Sequence, residues 1–460
     1  MIPMSLAEIA DVVGGTAHGD AEVRAPAVVD SRRAEAGGLF VAIPGEHVDG
    51  HDFAGAALAA GAVAVLGSRR VDAPCVVVDD TVAALGRLGR HVVDSLPDTT
   101  VLALTGSQGK TGTKDYLAQV LATAGETVAT AGNFNNEIGV PLTVLRATPS
   151  TRFLVVEMGA RGVGHIAELC EIAPPQVAAV LNVGTAHLGE FGTREAIARA
   201  KGEILESLPS DGAAVLNADD PLVVRMATRT AAPVLTFGPG GDVDWVEEEY
   251  DDLGRPTATF RLAGVEARRS LRQIGGHQLL NATAAAALAL GAGLDPQRVV
   301  DALTDATSLS PWRMEVAERP DGVVVINDAY NANPASMRVA LDTLAGIGRR
   351  RGARTVAVLG EMLELGAGAD EEHAGVGAHA AVAGVDVLLV VGEPAGPIAE
   401  GARAARDWSG TAEVVEDRVA ALAWLRENIA AGDVVLVKAS RGAALEVVAQ
   451  SLTGSEENPG

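Results

Sequence analysis

From Thr99 onward, short continuous apolar runs recur along the chain: "TVLALTG", "ETVATAG", "TRFLVVEMGA", "QVAAVLNVG" and "GAAVLNADD". Each run is apolar throughout rather than alternating, as in a parallel strand covered on both faces. Helical stretches separate the runs, so the pattern predicts a doubly wound, mostly parallel sheet. The preceding hundred residues alternate shorter runs ("LFVAIPG", "AVAVLG", "CVVVDD") with alanine-rich helical stretches, as in a small α/β domain. That domain is expected to end near "SLPDTT", where Pro97 and polar residues interrupt the pattern.

Residues 242–275 become charged, with alternating Thr and Phe, which predicts a small antiparallel addition ahead of the helix "NATAAAALALGAGL". Near Ser310 the strand and helix rhythm resumes through "GVVVINDAYNANP", "TVAVLGEM", "VDVLLVVGEP" and "DVVLVKASRG", this time without a phosphate loop. The expectation is an α/β protein of three domains: a small N-terminal α/β domain over residues 1–97, a central P-loop domain over 98–309 and a C-terminal Rossmann-like domain over 310–460. A chain of 460 residues exceeds a single ordinary core, and about 150 residues per domain gives roughly the same number. No internal repeat is present, and the tail "GSEENPG" reads as disordered.

Charge narrows the partners. The net charge is -24 and the basic residues form no run longer than the three arginines at 349–351, which argues against a nucleic-acid partner. The start "MIPMSLAEIADVVGG" has no basic segment leading into an apolar core, and "ATAAAALALGAG" is too short to span a bilayer, so a cytoplasmic protein with no membrane partner is expected. Cys75 and Cys170 stand apart in apolar segments, as buried thiols do. Of 36 basic residues only four are lysine: Lys110, Lys114, Lys201 and Lys438. A chain that uses arginine wherever a positive charge suffices has kept lysine where a compact ammonium, or an amine able to lose its proton, is needed.

The stretch "VLALTGSQGKTGTKD" carries the phosphate chemistry. A full P-loop, G-x-x-x-x-G-K-[ST], would place glycine at position 104, where the chain has Leu104, so the match is the shorter G-x-x-G-K-T from Gly106 to Thr111. Strand, glycine loop and helix in succession aim backbone N–H groups and a helix N-terminus at an anion. Gly106, Ser107, Gln108, Gly109, Lys110, Thr111 and Gly112 are the expected ATP cradle, with Lys110 on the terminal phosphates and Thr111 on magnesium. Glu157, closing "FLVVE", is expected at the sheet's C-terminal edge as a hard oxygen ligand. His187 closes the next apolar run in the same way.

Lys201 stands out. "TREAIARAKGEILESL" predicts a helix capped by Thr193, with Ile197, Lys201, Ile204 and Leu208 on one stripe. A lysine on an apolar stripe is unfavourable unless it has a partner, snorkels to water or loses its proton and reacts. A neutral amine there can take up carbon dioxide as a carbamate, an anion able to ligate metal.

Taken together, these residues resemble the Mur ligases of peptidoglycan synthesis. The resemblance covers nearly the whole chain through "DSRRAEAGGLFVAIPGEHVDGHDF", "GSQGKTGTK", "GNFNNEIGVPLTVL", "EMGARGVGHI", "NVGTAHLGEFGTREAIARAKGEI", "NDAYNANPASM" and "VLGEMLELG". That family's loop is the short form, which accounts for Leu104. "GNFNNEIGVPLT" is of the type that adds D-alanyl-D-alanine to UDP-N-acetylmuramoyl-tripeptide at the expense of ATP.

The resemblance implies catalytic roles for Lys110, Glu157, His187 and Lys201, with Thr111, Glu157, His187 and carbamylated Lys201 serving two magnesium ions. It implies that Asn281 contacts adenine, and that Arg313 and Asp328 close on the nucleotide by a hinge motion. Ser31, in the first domain, would lie near the uridine diphosphate, and Asn133, Asn135 and Asn136 would line the muramoyl-peptide channel. Asn331, Asn333, Ser336 and Lys438 are the expected dipeptide residues, and a monomer is the expected state. The chain departs from the family at Trp312, where glycine is common, and at Gln278, where asparagine is.

Rival readings are a P-loop ATPase switch or assembly protein, which leaves Lys201 without a use, and the Mur ligase adding the third amino acid. The latter typically carries D-N-P-R in its last domain, which this chain lacks. A folate polyglutamylating ligase would share the loop but lack a uridine-binding domain.

Overall fold

The computed structural model describes residues 1–45, 47–184 and 191–454, which divide into two compact units. The first comprises Met1–Val183, Glu195–Val243 and Ala284–Val299; the second holds Asp244–Thr283 and the chain from Val300.

In the first unit, the predicted apolar runs become the parallel strands Thr100–Thr105, Thr127–Ala129, Phe153–Glu157, Val177–Val180 and Ala213–Asn217. A sixth strand, Val234–Phe237, escaped the sequence reading because its residues are partly exposed. The strand Thr100–Thr105 lies between Phe153–Glu157 and Val177–Val180, with Thr127–Ala129 beyond the former and Ala213–Asn217 beyond the latter. The chain therefore reverses its direction of travel across the sheet at Thr100–Thr105, the place where open α/β sheets bind ligands at their strand C-termini. Val155, Val156, Val177 and Leu104 are buried, as the unbroken apolar runs require.

The N-terminal part of this unit is a five-stranded sheet in the order Thr16–His18, Cys75–Val77, Ala64–Gly67, Leu39–Ala42 and Ala27–Val28, antiparallel only at its first pair. Its helix Thr81–Asp94 starts where the Asp80 carboxylate accepts the N–H groups of Val82 and Ala83. That helix buries Leu85, Leu88 and Val92 and packs against the helices Gly139–Val144 and His165–Ile172. Burial of side chains of this size stabilises by about 1.5–3 kcal/mol each.

The second unit contains the predicted antiparallel segment, Pro256–Leu262 against Val265–Ser270, beside Val243–Tyr250. It also holds a six-stranded sheet in the order Glu315–Glu318, Val324–Asn327, Val434–Lys438, Thr355–Leu359, Val387–Val391 and Thr411–Val415. Only the first pair is antiparallel. Val324, Ile326 and Leu436 face one layer of helices, and Val325, Val435 and Val437 face the other. This α/β architecture is the one expected from the sequence. No helix among the described residues is long and apolar enough to cross a membrane.

Candidate active site

The phosphate loop begins where the buried strand Thr100–Thr105 ends. Gly106 must be glycine for space, since a Cβ there would lie 2.8 Å from Leu181 Cβ. Gly109 has a φ of 77°, the left-handed region that favours glycine, and leads directly into the helix Lys110–Ala122. Gly109 has no side chain to cap this helix, so its N-terminus is open to an anion. Tyr116, Leu117, Val120 and Leu121 anchor the helix in the core, as their spacing predicted.

Sheet register sets what flanks the loop. Glu157 pairs with Leu104 on one side and Val180 with Thr105 on the other, so both neighbouring strands end level with the loop. From the first, buried Glu157 places Oε2 3.2 Å from Thr111 Oγ1, and its Oε1 accepts from Asn135 Nδ2 at 2.8 Å. From the second, Asn182 grips the loop itself: its Oδ1 accepts Gln108 N at 2.9 Å, its Nδ2 donates to Gln108 O at 3.1 Å, and its carbonyl accepts Ser107 N. The sequence reading missed Asn182; an asparagine straight after an apolar run, level with a glycine loop, was the available signal. Lys110 Nζ donates to Gly106 O at 2.8 Å, so the ammonium lies over its own loop.

Lys201 lies on the helix Arg194–Glu206 and is 7% exposed. Burial, and then the neighbouring Lys110 ammonium, hold its amine well below the ordinary lysine range. The stripe reading holds for Ile197 and Ile204, which are buried, but the helix ends at Glu206 and Leu208 falls beyond it, half-exposed. His187 lies outside the described residues.

Among the described residues no three His, Cys, Asp or Glu side chains converge as a metal set. The Glu157 carboxylate and Thr111 hydroxyl, adjacent at the open helix end, are nonetheless a hard oxygen pair of the kind that could hold magnesium, with phosphates and water completing its shell.

The remaining first-unit candidates are placed as follows. Ser31 is buried at the start of a short 3-10 turn. Asn133 is exposed and Asn135 is half-buried on Glu157. Asn136 Oδ1 accepts Gly139 N at 2.9 Å, which ties it to the entry of the helix Gly139–Val144.

In the second unit, buried Asn281 donates from Nδ2 to Gln278 Oε1 at 3.0 Å, so the unusual glutamine still has a partner. The Arg313 guanidinium stacks on Tyr330 at 4.0 Å from the ring centre, and its buried Nε has no hydrogen-bond partner among the described residues. Arg313 sits between Trp312 and Met314, whose φ values of 56° and 53° are left-handed. A positive φ at position 312 explains why glycine suits it. Here the indole of Trp312 lies under Arg441, 4.1 Å from the ring centre.

Asp328 and Lys438, expected on different substrates, meet each other: Lys438 Nζ is 2.6 Å from Asp328 Oδ2 and 2.8 Å from Asn331 O. Packing around the ring lowers the His277 imidazole to about 4, with Asp328 raising it and Lys438 lowering it. Asn333 and Ser336, read as dipeptide residues, form a capping box at the helix Pro334–Arg351, so their side chains serve each other and the helix N-terminus. Asn331 Oδ1 accepts Ala332 N.

Known proteins resemble this one at every level. Residues 28–91 match the model for the Mur ligase family catalytic domain, residues 104–289 that for the Mur ligase middle domain, and residues 312–441 that for the Mur ligase glutamate ligase domain. The UDP-N-acetylmuramoyl-tripeptide--D-alanyl-D-alanine ligase of Mycobacterium tuberculosis is 45% identical over 99% of each chain. A crystal structure of MurF from Acinetobacter baumannii superposes with a TM-score of 0.87 at 31% identity, covering 98% of this chain and 99% of that one. The MurF ligase of Thermotoga maritima in complex with ADP gives a TM-score of 0.79 at 33% identity, over 94% of this chain and 97% of that one.

Proposed function

The chain belongs to the Mur ligase family, and from that premise we propose that it joins D-alanyl-D-alanine to UDP-N-acetylmuramoyl-tripeptide, consuming ATP, in peptidoglycan precursor synthesis. The product is UDP-N-acetylmuramoyl-pentapeptide, with ADP and phosphate. The alternatives of an ATPase switch and of the ligase adding the third amino acid are not favoured. The observation that carries the ligation reading is Lys201, buried with a lowered amine pKa beside Lys110 of the phosphate loop. A nucleotide switch has no use for it.

A carboxylate is a poor electrophile, so its oxygen must first become a leaving group. Transfer of the terminal phosphoryl of ATP to the tripeptide carboxylate gives an acyl phosphate. The dipeptide amine then attacks the acyl carbon, and phosphate leaves. For this chemistry the protein supplies position and charge. The open N-terminus of the helix Lys110–Ala122 and the loop N–H groups hold the phosphates, Asn182 keeps the loop in shape, and Lys110 neutralises the transferring group.

Thr111 and Glu157 would hold magnesium, with His187 and a carbamate on Lys201 for a second ion. Bound magnesium supplies charge neutralisation and polarises the phosphoryl and carboxylate oxygens. Lys201 is suited to carbamylation because burial and the Lys110 charge favour the neutral form of its amine, and the resulting anion removes the repulsion from Lys110. Asn281, Arg313 and Asp328 are assigned to the nucleotide, Ser31, Asn133 and Asn135 to the UDP-linked peptide, and Asn331 and Lys438 to the dipeptide. A three-domain organisation, cytoplasmic location and monomeric state belong to the same reading.

Phosphate release from ATP and magnesium tests it, with UDP-muramoyl-tripeptide present and with D-Ala-D-Ala, a single amino acid or nothing as acceptor. Release that needs the dipeptide, together with a product heavier by the dipeptide less one water, is expected. Release indifferent to the acceptor would refute the ligase reading.

A further inference from the structure

One of the four lysines has no part in the chemistry above. Lys114 lies one turn beyond Lys110 on the phosphate-binding helix, 4% exposed, with its ammonium 2.7 Å from Asp115, itself 2% exposed. The same ammonium donates to Thr130 O at 2.9 Å. Stability alone does not explain the pair, because apolar replacements of buried ion pairs are often neutral or stabilising. Its significance lies in what the ammonium holds.

Thr130 ends the edge strand side of the sheet and opens the loop to Glu137. Its N–H donates to Val155 O, and its Oγ1 accepts Glu157 N at 3.0 Å. Further along this loop, Asn135 gives its Nδ2 to Glu157 Oε1 and its carbonyl accepts Gly159 N at 2.8 Å. Glu157 is thus held at three points: Thr130 on its backbone, Asn135 on one carboxylate oxygen and Thr111 on the other. Lys114 ties this loop to the helix that carries Lys110 and Thr111.

We propose that Lys114, neutralised by Asp115, is a positioning residue that fixes the Thr130 carbonyl to the phosphate-binding helix and so presents Glu157 Oε2 to Thr111 and the metal-bound nucleotide. Both side chains are almost fully buried, and a compact ammonium needs fewer partners there than the five donors of a planar guanidinium, a reason for lysine in an arginine-rich chain. The proposal rests on the reading of Thr111 and Glu157 as magnesium residues.

The test is ADP affinity by calorimetry, with and without magnesium. In Lys114→Met/Asp115→Asn, which removes both charges together, affinity without magnesium stays within about twofold of wild type, because the loop N–H groups are untouched. The tightening that magnesium brings falls about tenfold or more. Lys114→Arg shows the same loss. Full tightening in either folded variant overturns the proposal. Should the double variant not fold, Asn135→Ala cuts the last link while leaving the ion pair intact; it loses the same tightening, and if it keeps it the proposal fails. A wild-type protein with no magnesium-dependent tightening refutes instead the reading of Thr111 and Glu157, so the two failures are distinct.

Discussion

Replacing Lys201 by methionine is expected to make the protein more stable and inactive at once. Methionine keeps the length and apolar bulk of the side chain but has no proton to bind. In the folded protein, burial and the Lys110 charge hold the Lys201 amine well below 10.5, whereas unfolding returns it to that ordinary value. Between the two values the unfolded chain binds a proton that the folded one does not. Wild-type stability therefore rises with pH in this window, by up to about 1.4 kcal/mol per pH unit. The variant lacks that slope, so its advantage is largest at neutral pH and closes as pH approaches 10.5. Urea midpoints followed by far-ultraviolet circular dichroism from about pH 7 to about 9.5 in carbon dioxide-free buffer measure the gap. Adding bicarbonate should stabilise wild type alone, as any ligand of the folded state does. A gap that does not change with pH, or a variant less stable than wild type at pH 7, would refute the account of Lys201 as a buried amine whose charged form is disfavoured.

Asn182→Ala removes both side-chain bonds to Gln108. ADP binding measured by calorimetry should weaken about tenfold, the order expected when a part-buried bonding group is lost at a binding loop. Asp417→Ala uncaps the helix Arg418–Asn428, whose Val419 and Ala420 N–H groups it accepts at 2.9 Å, and should cost about 1 kcal/mol in urea unfolding with the KM for ATP unchanged. Gly202→Ala drives a methyl group into the Arg229 guanidinium, which bonds the carbonyls of Ala198 and Arg199. The guanidinium is the mobile end of its side chain and alanine suits a helix better than glycine, so the net loss is expected to stay below about 1 kcal/mol in the same unfolding curve. Burial pushes the Cys170 thiol up to about 11, so at pH 8 iodoacetamide should leave it unmodified in the native protein and modify it in urea, as mass spectrometry would show.

What the sequence made legible follows its strongest signals. Strands buried on both faces announce themselves as unbroken apolar runs, and all five runs of the central sheet became strands. Edge strands carry a weaker pattern: Thr411–Val415 is largely exposed and has no unbroken apolar run to mark it. Lys201 was legible because a lysine interrupts an apolar stripe, but the helix terminus that leaves Leu208 outside was not. Asn182 eluded the reading for another reason. Its partner lies 74 residues away in sequence, and only the register of two parallel strands brings them together. Asn333 and Ser336 carried a signal that was present but assigned elsewhere: N-P-A-S is a capping box with proline at the first helical position, complete without a ligand.

Trp312 holds a left-handed backbone conformation that a side chain rarely adopts, with Arg441 stacked on its indole and Arg313 next in the chain. Indole emission responds to a charge against its ring, and Arg441 supplies one. A ligand that draws Arg441 to itself therefore changes the light from a residue already in place. The wild-type protein carries its own optical gauge at the position where glycine would have been silent.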